Sequence, residues 1–315
     1  MSLNTLQMTN GDAALSLLKK AGVLGTHLAW RDVLHEGPVP AGLALEAQSA
    51  VRADYLASRG FGNAIKLRHD FAKRDAVVRR ARDFEEIVLW FEHDLYDQLQ
   101  ILQILTQLRA DGIEAGRVSL VQTDVYLTAL TIAELDALYP KRRTVTESSF
   151  AYARRAWDAF VSDDPMALLP FAREDAPQLP HLRAGFARLC EEYPWMHDGL
   201  SRSQRAALAA VSTGPARSDE LFRRAQAREE APFLGDASFA AIVRDLASGP
   251  APLLEGEEDA LVPSVLGRRV LAGDADWLAF APCDRWIGGV HLTGSAPVRW
   301  DELLRTFNSR EAAVQ

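Results

Sequence analysis

Glu92, His93 and Asp94 stand together directly after the apolar run Ile87-Val88-Leu89-Trp90-Phe91. Two acids one residue apart at the close of an extended run point to the same side, with the histidine opposite. Like charges held so close demand a proton, a cation or a basic partner. Carboxylates suit hard divalent cations such as Mg²⁺ or Mn²⁺, and His93 or His35 would widen the choice to Zn²⁺ or Fe²⁺. Glu92 and Asp94 are therefore the candidate metal ligands. A second polar group follows an earlier strand, Arg31-Asp32-Val33-Leu34-His35-Glu36-Gly37-Pro38. A loop histidine beside a carboxylate could act as general acid or base. The guanidinium of Arg31 could grip a phosphate or carboxylate in two-pronged fashion, or pair with Asp32 or Glu92. Arg31, His35 and His93 are the basic partners within reach of the acidic pair. The chemistry these residues suggest is metal-assisted work on a phosphoester or nucleotide, by a hydrolase or phosphotransfer enzyme. Carboxylates would hold the ion and a histidine would move the proton. Glu92, His93, Asp94, His35 and Glu36 form the catalytic set. Each also has a plain structural reading. Asp94 and Asp97 occupy the N-cap and N3 positions of the next helix, where carboxylates satisfy orphan N–H groups, and His35-Glu36 fits an exposed loop equally well.

The elements that must position these residues alternate. Leu3 to Thr9 reads as a strand, Ala13 to Ala21 as a helix closed by Gly22, and His27 to Trp30 as a second strand. Ala44 to Ser58 and Ala64 to Phe84 read as helices. The run at 87–91 is a strand covered on both faces, and Leu95, Leu99, Leu102, Ile104 and Leu105 fall at helical spacing after it. Val118 to Val121 is a further strand, and Thr131 to Glu134 has the capping-box spacing. Alternation over residues 1–146 predicts a Rossmann-like parallel sheet, in which ligands bind beyond the carboxyl ends of the strands. Four predicted strands end in polar groups on that one edge: Asn10-Gly11-Asp12, Arg31-Asp32, Glu92-His93-Asp94 and Gln122-Thr123-Asp124. Asn10, Gly11, Asp12, Arg31, Asp32, Asp97, Gln98 and Asp124 are accordingly the ligand-binding set, for a small phosphorylated ligand or nucleotide. Asn10-Gly11-Asp12 lacks the further glycines of a dinucleotide fingerprint and any P-loop lysine. The sequence favours Asp12 as an N-cap there, with Gly11 relieving a tight turn.

From Glu147 no strand is evident for some distance. Residues 147–200 read as a helical connector, with prolines at 165, 170, 177 and 180. Residues 201–315 read as a winged-helix-like α+β part. Helices are expected over Ser201 to Val211, Ser218 to Gln226 (Ser218 as N-cap) and Asp236 to Ser248, then a hairpin near Pro252 and Ala260 with its exit at Arg268-Arg269. The third helix offers Arg244 against Asp236 and Asp245, poor material for reading base edges. A structural or protein-contact use is favoured, and the alternative function is a ligand-sensing regulator whose module touches DNA or a protein. Asp284 to Gly289, with Trp300-Asp301, is expected to pack back as strand and helix, Gly288-Gly289 admitting a close backbone.

A net charge of −8 argues against non-specific coating of nucleic acid. Cys190 and Cys283, the two cysteines, have neither metal nor redox spacing, which points to a reducing compartment and core roles. With no membrane-length apolar run and no basic-then-apolar leader at the start, the sequence predicts a cytoplasmic protein without membrane contact. Its composition says nothing of oligomeric state.

Gly11-Asp12, Arg31 to Pro38, Trp90-Phe91-Glu92-His93-Asp94-Leu95-Tyr96-Asp97-Gln98 and Asp284 to Gly289 together resemble the bacterial domain of unknown function 1835 family. The resemblance runs over nearly the whole chain. It implies a two-part layout and a bacterial cytoplasmic protein, and no reaction.

Overall fold

A computed structural model of the chain describes residues 4–214, 216–257, 260–295 and 297–309. It begins with β1 (Thr5–Thr9), α1 (Asp12–Lys20), β2 (Thr26–Ala29), a two-residue β3 (Gly37–Pro38), α2 (Leu45–Ser58) and α3 (Ala64–Val78). Next come β4 (Glu86–Phe91), α4 (Leu95–Ala110), β5 (Val118–Gln122), α5 (Ile132–Leu138) and β6 (Arg143–Thr144). The main sheet has the order β2-β1-β4-β5-β6. Its first four members are parallel, and the short edge strand β6 runs antiparallel to β5. The four predicted strands are thus present, with their carboxyl ends on one edge.

Alternation along β4 explains why its apolar run is continuous. Ile87, Leu89 and Phe91 pack toward α4, while Val88 and Trp90 pack toward α1 and α5. Both faces are covered, so neither can be polar. The two buried indoles there are paired with glutamines: Trp90 Nε1 donates to Gln7 Oε1 at 2.7 Å and Trp30 Nε1 to Gln103 Oε1 at 2.7 Å.

The chain continues through α6 (Glu147–Phe160), α7 (Leu169–Arg173) and α8 (Leu182–Cys190). Phe150, Ala153, Ala156, Phe186 and Leu189 from these helices join the same apolar core as β4 and α4. Then follow α9 (Arg202–Ser212), α10 (Ser218–Gln226), α11 (Asp236–Leu246), the antiparallel pair β7 (Leu254–Glu255) and β8 (Val262–Pro263), and α12 (Val265–Ala272). These build a separate apolar cluster around Leu208, Val211, Phe239, Leu246 and Leu254. Last come β9 (Cys283–Gly288), β10 (Val290–Gly294), β11 (Val298–Asp301) and β12 (Thr306–Ser309).

Several expectations need correction. Arg268-Arg269 belongs to α12, because Ser264 caps a new helix there by accepting from Gly267 N. Ser218 is the first residue of α10, whose N-cap is Arg217. The C-terminal stretch forms two antiparallel pairs, β9–β10 and β11–β12, where a strand and a helix were expected. Gly11 has φ −164° and open space about it, extended backbone that any residue adopts, so it relieves no strain. It, and not Asp12, is the N-cap of α1.

The pairing of β3 with β9 is the long-range link that matters most for the site. Gly37 and Pro38 run parallel to Ile287 and Gly288, and Val39 N donates to Gly288 O at 2.8 Å. Gly288 and Gly289 press against the end of α6: added Cβ atoms would meet Phe160 O at 2.2 Å and Val161 O at 2.0 Å. The glycine pair does admit a close backbone, as its sequence implies.

Candidate functional site

The acidic knot forms where β4 turns into α4. Asp94 is the N-cap, its Oδ1 accepting from Asp97 N at 3.1 Å. Asp97, one turn on, reaches back so that its Oδ2 accepts from Glu92 N. Its Oδ1 accepts from Asn10 Nδ2 at 2.9 Å, and the same amide reaches Glu92 Oε2 at 3.4 Å. The other Glu92 oxygen accepts from Leu127 N at 2.8 Å, in the loop after β5. Gln98 Nε2 holds the Glu92 carbonyl at 2.8 Å. Residues from three strand ends therefore converge, and the acids are nearly inaccessible, with Asp97 at 0%. One carboxylate oxygen from each of Glu92, Asp94 and Asp97 lies within 4.8 Å of the others.

No basic side chain joins their described hydrogen bonds or ion pairs. Burial consequently raises the carboxyl of Glu92. It pushes Asp94 up to about 7, with the charge of Glu92 adding to the effect. Asp97 is raised well above the usual carboxylate range by burial and by both neighbours. Three carboxyls in this state must share protons or take a cation.

The remaining residues of the predicted set are spread more widely. Arg31 turns away to the surface, its Nε 2.8 Å from Asp12 Oδ2. It adopts φ 62°, and the following Asp32 points inward, where Arg52 Nε lies 2.9 Å from its Oδ1 with both side chains at 0% exposure. Asp12, Arg31 and Asp32 therefore stand in ion pairs of their own and do not neutralise the knot. Asp124 is exposed. His93 is half-buried, its ring 5.4 Å from that of Tyr126 and 6.1 Å from that of His181. Its Nδ1 is buried without a hydrogen-bond partner among the described residues.

His35 and Glu36 belong to a different place, the lining of a cavity of about 390 Å³ between the β2–α2 segment and later residues from Glu192 to Trp286. Arg52 fixes their loop by donating to the carbonyls of Val33, Glu36 and Pro38. Gly37, at φ 81°, lets the Tyr55 ring lie against the turn, where an added Cβ would meet the ring at 2.3 Å. Glu36 Oε1 accepts from Ser238 Oγ at 2.6 Å, and Oε2 from Tyr55 OH at 3.3 Å. His35 is 4% exposed, and burial lowers its imidazole to about 4, so it is neutral at pH 7. Both ring nitrogens lack a partner among the described residues.

Sequence reasoning missed Arg52, Tyr55 and Ser238. Arg52 is one arginine in a helix whose sequence does not say which face is buried, and Ser238 is 202 positions from its partner. Neither leaves a local signal. Asp97 was found, but its bond to Asn10 spans 87 positions. No family model matches the chain, and no curated protein matches it.

Proposed function

We propose that the carboxyl edge of the main sheet is a ligand site at which Glu92, Asp94 and Asp97 hold a divalent cation, and that the chain performs metal-assisted phosphoester or nucleotide chemistry there. The observation that carries this reading is the enclosure of three carboxylates, one oxygen from each within 4.8 Å, without a cationic side chain among their described partners. In an octahedral shell with bonds of 2.0–2.1 Å, adjacent ligands lie about 2.9 Å apart and opposed ones about 4.2 Å, so the three carboxylates would close inward around Mg²⁺ or Mn²⁺. Such an ion polarises a phosphoryl oxygen and acidifies a bound water. His93, with its unpartnered Nδ1, is the proton carrier nearest in sequence. The test is a thermal-shift and hydrolysis screen with Mn²⁺ and Mg²⁺, alone and with nucleotides. A ligand at about 100 times its Kd adds about 2.7 kcal/mol. The shift should vanish in Glu92→Gln and Asp94→Asn. Equal shifts in the variants, or none in wild type together with no hydrolysis, would refute it.

The alternative is a ligand-sensing regulator with a winged-helix module over α9 to β8. It is favoured by the seating of α11 on the N-terminal part, where Ser238 meets Glu36 and Arg59 Nη2 lies 2.6 Å from Asp245 Oδ2. A ligand in the cavity between them would be felt by the module. The DNA branch is weakened by the same contacts, which occupy the third helix. It is weakened again because Arg202, Arg205, Arg217, Arg223 and Arg224 each pair with a carboxylate. Salt-sensitive DNA binding lost on Arg268→Ala with Arg269→Ala would restore that branch.

A further inference from the structure

The cavity beside Glu36 carries an unbalanced set of charges. Four acids line it, Glu36, Glu192, Asp245 and Asp284, against two guanidiniums, Arg59 and Arg285. Both arginines are already engaged. Arg59 donates to Asp245 through two nitrogens, at 2.6 and 3.0 Å, and Arg285 Nη2 lies 3.1 Å from Glu192, which also takes Arg188 at 2.7 Å. Glu36 has no cationic partner among the described residues. Its oxygens accept from the hydroxyls of Ser238 and Tyr55, and the imidazole of His35, 4.0 Å away, is neutral at pH 7. An ionised carboxylate offers about four acceptor positions, so each Glu36 oxygen keeps an open one, and the side chain retains 14% of its surface. Asp284, 85% exposed, pairs with His291 at 2.7 Å, an ion pair only when that imidazole is protonated.

The rest of the lining says what kind of cation would restore the balance. Among the described residues, no three acids of this cavity come close enough together to share a metal ion. Its volume of about 390 Å³ also far exceeds one ion and suits a small organic molecule. Trp277 and Trp286 give the walls aromatic surface. Both are held in place: Trp277 Nε1 donates to Ala251 O at 2.9 Å, and Trp286 stacks at 4.2 Å and 8° on His291, its direct partner on β10. Asp284 lies two residues before Trp286 on β9 and so shares its face of the strand. Glu36 directly precedes Gly37, whose ladder partner Ile287 directly follows Trp286. The two acids without an arginine thus neighbour one indole, one along its own strand and one across the ladder. An ammonium within about 6 Å of an indole face is attracted to it, and methylene groups gain from burial against the same ring.

We propose that this cavity binds an aliphatic polyamine. One ammonium donates to the open positions of Glu36, the methylene chain lies along Trp286 and Trp277, and a second ammonium reaches Asp284. This inference does not rest on the metal reading of the sheet edge, because no residue of the acidic knot takes part.

The experiment is calorimetric titration of the full chain at physiological salt in the presence of a chelator, so that no metal ion contributes. The probes are putrescine, spermidine, butylamine and butanediol. Butanediol keeps the chain of putrescine and a hydrogen-bonding group at each end but carries no charge, and butylamine lacks one ammonium. Putrescine or spermidine should bind at least about tenfold tighter than butanediol, because hydrogen bonds between two charged groups are the strong ones. The margin over butylamine should be about two- to fivefold, since the second ammonium meets an exposed acid. Glu36→Gln should weaken the tighter polyamine at least about tenfold. Asp136→Asn, which removes an exposed acid outside the cavity, should leave it unchanged. Should Glu36→Gln fail to fold, Asp284→Asn and Trp286→Leu decide: the first should bring putrescine down to the affinity of butylamine, and the second should weaken it at least about threefold. No binding of either polyamine by about 1 mM, equal affinity for putrescine and butanediol, full affinity in the cavity variants, or an equal loss in Asp136→Asn would overturn the proposal.

Discussion

Replacing Asp94 by Asn should stabilise the protein at alkaline pH in the absence of metal. Burial and the charge of Glu92 push the Asp94 carboxyl up to about 7, against 3.8 for an ordinary aspartate. A group raised in the native state binds a proton more readily there than in the unfolded chain. Stability therefore falls as pH rises between the two values, and the loss is complete above the higher one. At about 1.4 kcal/mol per pH unit, the interval corresponds to about 4 kcal/mol. Asn keeps the cap, since its side-chain oxygen still accepts from Asp97 N, and removes only the charge. Wild type and Asp94→Asn should thus differ by about 4 kcal/mol at pH 8 in chelator, the variant being the more stable, and by almost nothing at pH 4. Urea unfolding at several pH values measures the difference directly, and subtraction cancels the titrating groups outside the knot, while Asp97, relieved of the Asp94 charge, shifts the difference in the same direction. Saturating Mn²⁺ should then raise wild type alone. A variant equal to or weaker than wild type at pH 8, or a difference independent of pH, would refute the electrostatic account of the knot.

Two further outcomes follow from buried charges elsewhere. Burial depresses His35 to about 4 from 6.5, so its contribution is intact above about pH 6.5 and is lost as pH falls toward 4; His35→Leu should be relatively more stable at pH 4 than at pH 7, by about 3 kcal/mol, and parallel urea profiles would count against it. Arg52→Ala leaves Asp32, at 0% exposure, with Arg74 at 4.0 Å in place of its 2.9 Å partner and should cost about 3–5 kcal/mol, whereas Asp12→Ala, which breaks an exposed pair, should cost under about 1 kcal/mol; denaturant midpoints of the two variants check the contrast.

The parallel sheet was legible because β4 is a continuous apolar run and each parallel strand is short and soon followed by polar residues, a pattern that is local. The convergence of Asn10 with Glu92 and Asp97 was legible only as a shared edge. Its hydrogen bonds depend on α4 starting where Asp94 caps it. The destination of Arg31 was not legible, because an αL turn at a non-glycine residue sends its side chain out to Asp12 and Asp32 inward. Arg52 and Arg74 look like surface charge in sequence, yet they are 0% and 2% exposed. Their burial is stabilised by Asp32 and Asp75, partners that amphipathic periodicity cannot announce. The final strands were hidden for a related reason. β9 holds Asp284, Arg285 and Trp286, and pairs with β10 on one side and a two-residue strand on the other. Its polar side chains interrupt any alternation.

The short ladder between β3 and β9 also orders events during synthesis. Gly37 and Ile287 are neighbours in space but roughly 250 residues apart in the chain. A ribosome adding about 5–20 residues per second needs on the order of 10–50 s to cover that gap. For most of that interval the His35–Glu36 turn has its arginine clasp from α2 but lacks the strand that closes its outer side, and until α11 emerges it also lacks Ser238, 202 positions on. The main sheet and its acidic knot are complete far earlier. A nascent chain therefore passes through a long-lived stage in which one pole of the molecule is finished and the other is an open trough, the form most exposed to proteases and to chaperones.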